Sequence, residues 1–502
     1  MKFALVFNPF KYKVHEENVR VVQKYFGLFP PLSLAWVAAI AEKAGHQVII
    51  VDARTLKLSM GETLEILKQF RPDIIGFMMT TYMFQDTLEW IKFLKKNLGV
   101  PVVIGGYNLR VYPRESVSHP EIDFGVVEHA YYTIPALFEE LEKEEPDFDN
   151  VPGLVYKKNG KIIVTPHPQR IVFDDFPVPA RHLLPNELYA EFPTERRNFT
   201  VMVTSLGCPF SCSFCEAGRT PYNPRSPATV IKEIEECYYK YGIREIDFFD
   251  YEFTGIRKRI VEICRLLQEK NLDIIWACRS RIDTVDETLL QEMKKAGCRR
   301  IYFGIESGVQ EILDRVNKGI TLKQIRNIIR TCKDLGIKTL GFFLIGAPGD
   351  TKDTVKETVK FAKSLGLDYV QFSKCLAKPL TPLWKEMVKT TKRDYWRGWI
   401  LGEEKDRPLP RPWTDLTNRE IDKLVRWAYI SYYARPLFVL KHILSLRSFL
   451  ELKRKVLAFW DMLLSQESYA REDKKFNAFN ENHIRLYSKA RRELWKRVSR
   501  HC

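Results

Sequence analysis

The chain has 502 residues, 45% hydrophobic and 28% charged, the make-up of a folded protein of about three domains rather than a disordered one. Lys and Arg number 79 and Asp and Glu 63, so the net charge is +16, which favours an anionic partner without choosing among nucleic acid, phospholipid surface and phosphorylated substrate. Ten cysteines are too few for a disulfide scaffold, no apolar run reaches the roughly 18 residues of a membrane span, and the start MKFALVFNPF lacks a signal-peptide layout. The expected setting is the cytoplasm, with a peripheral position on the inner face of the membrane as a further expectation.

Short apolar runs at Phe3–Phe7, Val48–Val51, Ile74–Phe77, Val100–Ile104 and Phe124–Val127 alternate with helical patterns at Pro31–Ala44, Glu62–Phe70, Phe84–Asn97 and Ile134–Lys143. This rhythm predicts a five-stranded parallel sheet covered on both faces, a flavodoxin-like Rossmann domain over residues 1–150. GLVYKKNGKIIVTP then reads as a hairpin turning at Asn159-Gly160, a ribbon expected to bridge two domains within a linker of residues 151–197.

The α/β rhythm resumes over residues 198–390. Strands are expected at Thr200–Thr204, Glu245–Phe249, Asp273–Ala277, Arg300–Phe303, Thr339–Leu344 and Tyr369–Ser373. Six strands with crossover helices fit either an open doubly wound sheet or a partial barrel, and periodicity does not decide between them. Residues 391–502 change character. A proline-rich stretch at Asp406–Pro412 leads to a capping box at Thr417 and Glu420. Beyond it, Arg435–Trp460 is basic and apolar, as an interfacial membrane helix is, or a helical cap on the barrel. The strongly basic tail from Tyr487 to Cys502 is expected to be helical.

The sharpest signal is Cys208-Pro-Phe-Ser-Cys212-Ser-Phe-Cys215, directly after the first strand of the second α/β region, where such folds place ligands. Three thiolates do not complete a structural zinc site, but on a four-iron cube they leave one iron open. The other readings are a closed site with a remote fourth cysteine and an unliganded loop. Most remaining cysteines read as small buried hydrophobes. Cys375, after the sixth strand, is set apart as a candidate thiol donor or ligand.

CxxxCxxC with an aromatic at Phe214 resembles the signature of the radical S-adenosylmethionine (SAM) superfamily. The resemblance implies that Cys208, Cys212 and Cys215 hold a [4Fe–4S] cluster whose fourth iron takes the amino and carboxylate groups of SAM. It further implies reductive cleavage of SAM to a 5′-deoxyadenosyl radical, an electron donor such as flavodoxin or ferredoxin, and a partial (β/α)6 barrel. By the same likeness, Glu306 of Gly304-Ile-Glu306-Ser307-Gly308 is the ribose ligand. Arg281 or Arg279, flanking Ser280 at the end of the third strand, clamps the SAM carboxylate. Gly346 belongs to the adenine-side loop, Asp250 anchors the methionine amine, and Tyr251 lines the substrate pocket or relays a hydrogen.

PPLSLAWVAAIAEKAGHQVIIVDA, RPDIIGFMMTT and VVIGGYN, at residues 30–53, 71–81 and 102–108, are similar to the cobalamin-binding domain often fused ahead of this core. That likeness implies corrin contacts from Gly105, Gly106, Thr80 and Thr81. Two departures stand out. No Asp-x-His-x-x-Gly supplies an axial histidine, and the loop at Gly125–Ala130 is bulky where the family has Gly-Glu-Gly-Glu. The alternative is a domain serving as substrate wall. His15 and His129 are too isolated to read as ligands.

The basic tail, with YARPLFVLKH, is similar to those of relatives acting on lipids, hopanoids, quinones and porphyrin esters. The reading is therefore a cobalamin-dependent C-methyltransferase acting on an unactivated carbon of a large hydrophobic substrate. A C–C bond-forming cyclase or coupling enzyme is the second reading. A non-catalytic iron–sulfur RNA-binding or scaffold protein is the third; without an RNA-binding motif, a nucleic-acid partner is not expected.

Overall fold

The computed structural model describes residues 1–10, 27–167, 171–191, 194–196, 198–405, 407–436, 438 and 481–500. The first sheet has seven strands. β1 (Lys2–Phe7), β2 (Gly27–Leu28), β3 (Gln47–Asp52), β4 (Ile74–Met78), β5 (Val102–Gly105), β6 (Phe124–Val126), β7 (Leu154–Lys158) and β8 (Lys161–Val164) follow in the chain, and all but β2 join in the order β3-β1-β4-β5-β6-β7-β8. The first five of these pair in parallel. Phe3 to Phe7 are buried without alternation, as a strand covered on both faces requires.

The hairpin is not a bridge between domains. β7 pairs antiparallel with β6 and β8 with β7, so the ribbon extends the first sheet. The physical reason is the open edge of β6: Leu154, Val155 and Tyr156 are buried against it, and Thr165 returns a hydroxyl to the backbone of Leu154. Asn159 and Gly160 both have positive φ, as the tight turn needs.

The linker that follows is held at both ends by side chains. Tyr189 donates to Asp52 of the first sheet (2.8 Å). Arg181, fully buried, pairs with Glu233 at 2.8 Å and donates to Thr200 and to the carbonyl of Val201. Beyond it, β9 (Ala190–Glu191) pairs with β2.

The second sheet is all parallel. Its strands are β10 (Phe199–Met202), β13 (Glu245–Phe248), β14 (Ile275–Ser280), β15 (Cys298–Glu306), β16 (Lys338–Ile345) and β17 (Tyr369–Lys374), in chain order across a curled half-barrel. Between β10 and β13 a small antiparallel ribbon, β11 (Ser205–Cys208) and β12 (Thr220–Pro224), brackets the cysteine loop. The helix Asn418–Tyr433 starts at the Thr417–Glu420 capping box and buries Ile421, Val425, Ala428 and Tyr432 in the barrel core.

The helices Pro382–Thr391 and Tyr395–Leu401 turn back onto the first domain, where the Trp399 indole donates to the carbonyl of Thr81 (3.0 Å) and Tyr112 bonds Asp394. The chain's last helix, Glu481–Ser499, lies on the first domain too. It buries Ala490, Leu494 and Val498, and Arg491 donates to the carbonyls of Leu56 and Lys57. Among the described residues no helix is long and apolar enough to cross a membrane. His15 and the basic segment from Lys441 to Trp460 lie outside the described residues.

Leu494→Ala should lower the unfolding free energy by about 2–5 kcal/mol, because it empties a packed contact between the last helix and the first domain. A denaturant titration followed by circular dichroism reads this, and an unchanged midpoint would refute the docking.

Candidate active site

The cysteine loop leaves β10 through Thr204, and buried charge fixes that exit. The Thr204 N–H and hydroxyl both donate to the Asp250 carboxylate at 2.5 Å, and Arg259 donates to the Thr204 hydroxyl and carbonyl at 2.7 and 3.0 Å. Asp250 is fully buried, and burial raises its pKa. Asp250 thus stands beneath the loop with both oxygens committed to Thr204. It braces the loop rather than presenting a free carboxylate to an amine.

The three cysteines are unpaired as disulfides and lie near one another. Each sulfur is faced by one N–H donor: Phe210 backbone to Cys208, Ala217 backbone to Cys215, and the Arg281 guanidinium to Cys212 at 3.5 Å. Donors aimed at sulfur stabilise thiolate, the form that binds metal. Burial opposes them, raising Cys208 and pushing Cys215 up to about 11, so a bound metal must draw the protons off. Among the described residues no three such side chains converge on a single ion; an iron–sulfur cluster asks instead for one thiolate per iron. The donor set fits a cluster.

A second element, Val316–Gly319, grips the same loop. The Ser213 N–H donates to the Val316 carbonyl (3.0 Å), and Asn317 Nδ2 donates to the carbonyl and hydroxyl of Ser211 (3.0 and 2.7 Å). Arg281 donates to the Lys318 carbonyl at 2.5 Å, pairs with both oxygens of Asp283 at 2.8 Å, and stacks over Phe210. The Lys318 ammonium donates to Glu306 Oε1 at 2.8 Å. A Cβ on Gly304 would come within 2.7 Å of that ammonium, so glycine leaves the pair its room. Glu306 sits in a left-handed conformation at the end of β15 (φ 68°), and among the described residues nothing bonds its second oxygen. That oxygen fits a donor from a ligand.

Of the two arginines proposed for the SAM carboxylate, Arg279 is spent on an ion pair with Asp247 at 2.9 Å and on the Phe249 ring. Arg281 is spent on Asp283, Lys318 and Cys212. Ser280 bonds Thr254 (2.6 Å) inside a buried hydroxyl cluster organised by Glu252, whose other oxygen accepts the Arg281 N–H at 2.9 Å. Phe214, within the loop, is half-buried, and Tyr251 is 55% exposed. Gly346 faces Ile421 of the helix Asn418–Tyr433, and its carbonyl accepts from Trp413. Cys375 is 1% exposed in an apolar cluster with Ala347, Ala377 and Trp413, against which Phe214 of the cysteine loop also packs.

On the first domain, the Gly106 hydrogens face the Met79 carbonyl, and Thr81 is buried with its hydroxyl on Asn108 (3.1 Å), beneath Trp399. Gly105 and Thr80 remain half-buried at the strand ends. Asn8, fully buried after β1 at the switch between β1 and β4, has no partner for its Oδ1 among the described residues, as a ligand site there would have. The Gly125–Ala130 loop is closed by protein: Val127 is buried, Glu128 pairs with Arg110, and burial depresses His129. The Asn8 amide oxygen is the group here that fits a ligand, whereas the Thr81 hydroxyl is already committed to Asn108. Next to Gly105 and Gly106, the Tyr107 hydroxyl lies 3.5 Å from the carbonyls of Glu216 and Pro379, beside Cys215. The ligand edges of the two domains therefore meet.

The half-barrel floor carries a buried ionic network that the sequence did not reveal. Arg300 pairs with Glu245 at 3.2 Å and donates to the Tyr302 hydroxyl, which donates to Glu191 at 3.1 Å. Glu191 and Asp247 are buried beside this network, and among the described residues each leaves one carboxyl oxygen, Oε2 and Oδ2, without a hydrogen-bond partner. Burial, then Asp247, raises the Glu191 pKa.

A model of the radical SAM superfamily matches residues 202–362, and one of the B12 binding domain matches residues 19–138. An uncharacterized methyltransferase of Pyrococcus horikoshii is 35% identical over 436 residues, 85% of this chain and 92% of that protein. The anaerobic magnesium-protoporphyrin IX monomethyl ester cyclase of Rubrivivax gelatinosus is 30% identical over 373 residues, 72% of this chain and 67% of that one. Among solved structures, the cobalamin-dependent SAM radical enzyme OxsB shares the fold at a TM-score of 0.65 and 18% identity, covering 99% of this chain and 80% of its own. The radical SAM methyltransferase TsrM of Kitasatospora setae does so at 0.62 and 20%, covering 78% and 76%.

Cys208→Ala should abolish iron uptake on anaerobic reconstitution, while Cys375→Ala should leave iron per chain unchanged; equal iron in both would overturn the assignment. Because Glu191 holds its proton more tightly when folded than unfolded, its contribution to stability is complete at low pH. It is lost as pH rises from about 4.3 through the raised value. Glu191→Gln should flatten that decline in pH-dependent denaturant melts, and an unaltered slope would count against the raised Glu191 pKa.

Proposed function

The chain belongs to the radical SAM superfamily, among its members with a B12-binding domain ahead of the half-barrel. From that we propose that it is a cobalamin-dependent C-methyltransferase, using a [4Fe–4S] cluster and SAM on an unactivated carbon of a large hydrophobic substrate such as a lipid, isoprenoid, quinone or porphyrin-like molecule. The observation that carries the reading is the approach of Tyr107, beside Gly105 and Gly106, to Glu216, the residue after Cys215. A methyl carrier and a radical source must reach one substrate carbon, and this contact brings their two edges together.

When bound, these cofactors supply a radical that removes hydrogen from carbon and a methyl group that replaces it. The chain's own residues do the positioning. Cys208, Cys212 and Cys215 hold the cluster, and Phe210, Ala217 and Arg281 supply the N–H groups that favour thiolate. Glu306 offers its second oxygen to the ribose hydroxyls, a charge-assisted pair. Tyr251, 55% exposed just after the second strand of the half-barrel, offers an aromatic face for a flat or greasy substrate. An electron donor such as flavodoxin or ferredoxin is the partner this chemistry needs. Docking of the basic C-terminal region on a membrane belongs to the same proposal.

A second reading, C–C bond formation within a porphyrin or lipid, is favoured by the 30% identity to a protein named as a magnesium-protoporphyrin ester cyclase. Product mass separates the two. After anaerobic reconstitution with hydroxocobalamin, SAM and dithionite, methylation adds CH2 to the substrate, whereas ring closure between two carbons removes H2. Neither product forming, with SAM left intact, would refute both.

A further inference from the structure

Lys318 is a lysine at 5% exposure, and the family motifs read from the sequence do not include it. Its ammonium donates to Glu306 Oε1, and its carbonyl accepts from the same Arg281 side chain that donates to Cys212. Its neighbours on either side grip the cysteine loop, Asn317 through Ser211 and Val316 through Ser213. Burial opposes its charge, while the Glu306 carboxylate and the Cys212 thiol both favour it. One residue thus holds the acid expected to take the ribose through its ammonium and, through its carbonyl, the arginine that donates to the second cluster cysteine.

We infer that Lys318 is a positioning residue that couples the nucleoside end of the SAM site to the iron–sulfur cluster, holding Glu306 while its charge bears on Cys212. The inference rests on the radical SAM reading and deepens it. Without ligand, Glu306 neutralises much of the ammonium's field. When two ribose hydroxyls donate to Glu306, they share that carboxylate's charge, and the ammonium acts more strongly on the cluster. Reduction makes a cluster more negative, so a stronger nearby cation favours the reduced state. Nucleoside binding therefore raises the reduction potential before any methionine group reaches iron.

Adenosine is the probe, since it has the ribose hydroxyls and no methionine to ligate iron. The reconstituted full chain is titrated with reductant under EPR, with and without saturating adenosine. In the parent, adenosine moves the midpoint to a less negative value, and 2′,3′-dideoxyadenosine does not. Lys318→Arg keeps the shift. Lys318→Gln, with the same iron content, starts at a more negative potential and loses the shift. A Lys318→Gln chain with the parent's potential and shift would overturn the inference. Should that variant fail to fold because Glu306 is left unpaired, the parent decides alone: adenosine and dideoxyadenosine with equal effect overturn it. A parent that holds no cluster sinks the radical SAM reading as well, whereas a loaded cluster with an unmoved potential sinks only this inference.

Discussion

Three thiols must be held together in a loop of eight residues with no disulfide and little ladder of its own, and buried ionic groups do the holding. Asp250 and Arg259 fix the loop's departure from β10 through Thr204. Glu252 accepts the backbone N–H of Arg281, and Arg281 reaches from there to Cys212. Lys318 and Glu306 close the far side. Each of these charges would be costly alone in an apolar core, and each is met by a partner of opposite charge or by hydrogen bonds to neighbouring polar groups. The result is a loop whose sulfurs are set by the barrel rather than by the loop itself.

The same logic explains how the domains share one site. Linker residues Arg181 and Tyr189 fasten the half-barrel and the first sheet to a common segment. Trp399, Tyr112 and Asp394 fasten the helices after the barrel to the first domain. The last helix returns to that domain through Arg491, Leu494 and Val498. With the sheets tied at these places, Tyr107 comes against Glu216, and the strand ends expected to take cobalamin lie beside the cysteine loop.

The strands were legible because buried parallel strands write themselves as apolar runs: Phe3–Phe7 and Tyr369–Ser373 fall within β1 and β17. The cysteine spacing was legible because the three residues are close in sequence and rare. The hairpin's turn was readable from Asn159-Gly160, but not its partner, since the open edge of β6 is a property of the folded sheet. Lys318, Glu252 and Glu191 were invisible for a related reason. A single charged residue looks like surface until packing from distant segments buries it. Cys375 and Thr81 each follow a strand as a site residue would, and the sequence did not show that Cys375 lies within an apolar cluster or that the Trp399 indole takes the Thr81 carbonyl.

The account stands on three protein ligands leaving one iron of the cluster available to the sulfonium cofactor. Mössbauer spectroscopy of the reconstituted chain, recorded before and after adding SAM, addresses this most directly. The account predicts one iron site distinct from the other three, whose parameters change when SAM is added. Zinc in place of iron, or four equivalent sulfur-ligated irons indifferent to SAM, would contradict it.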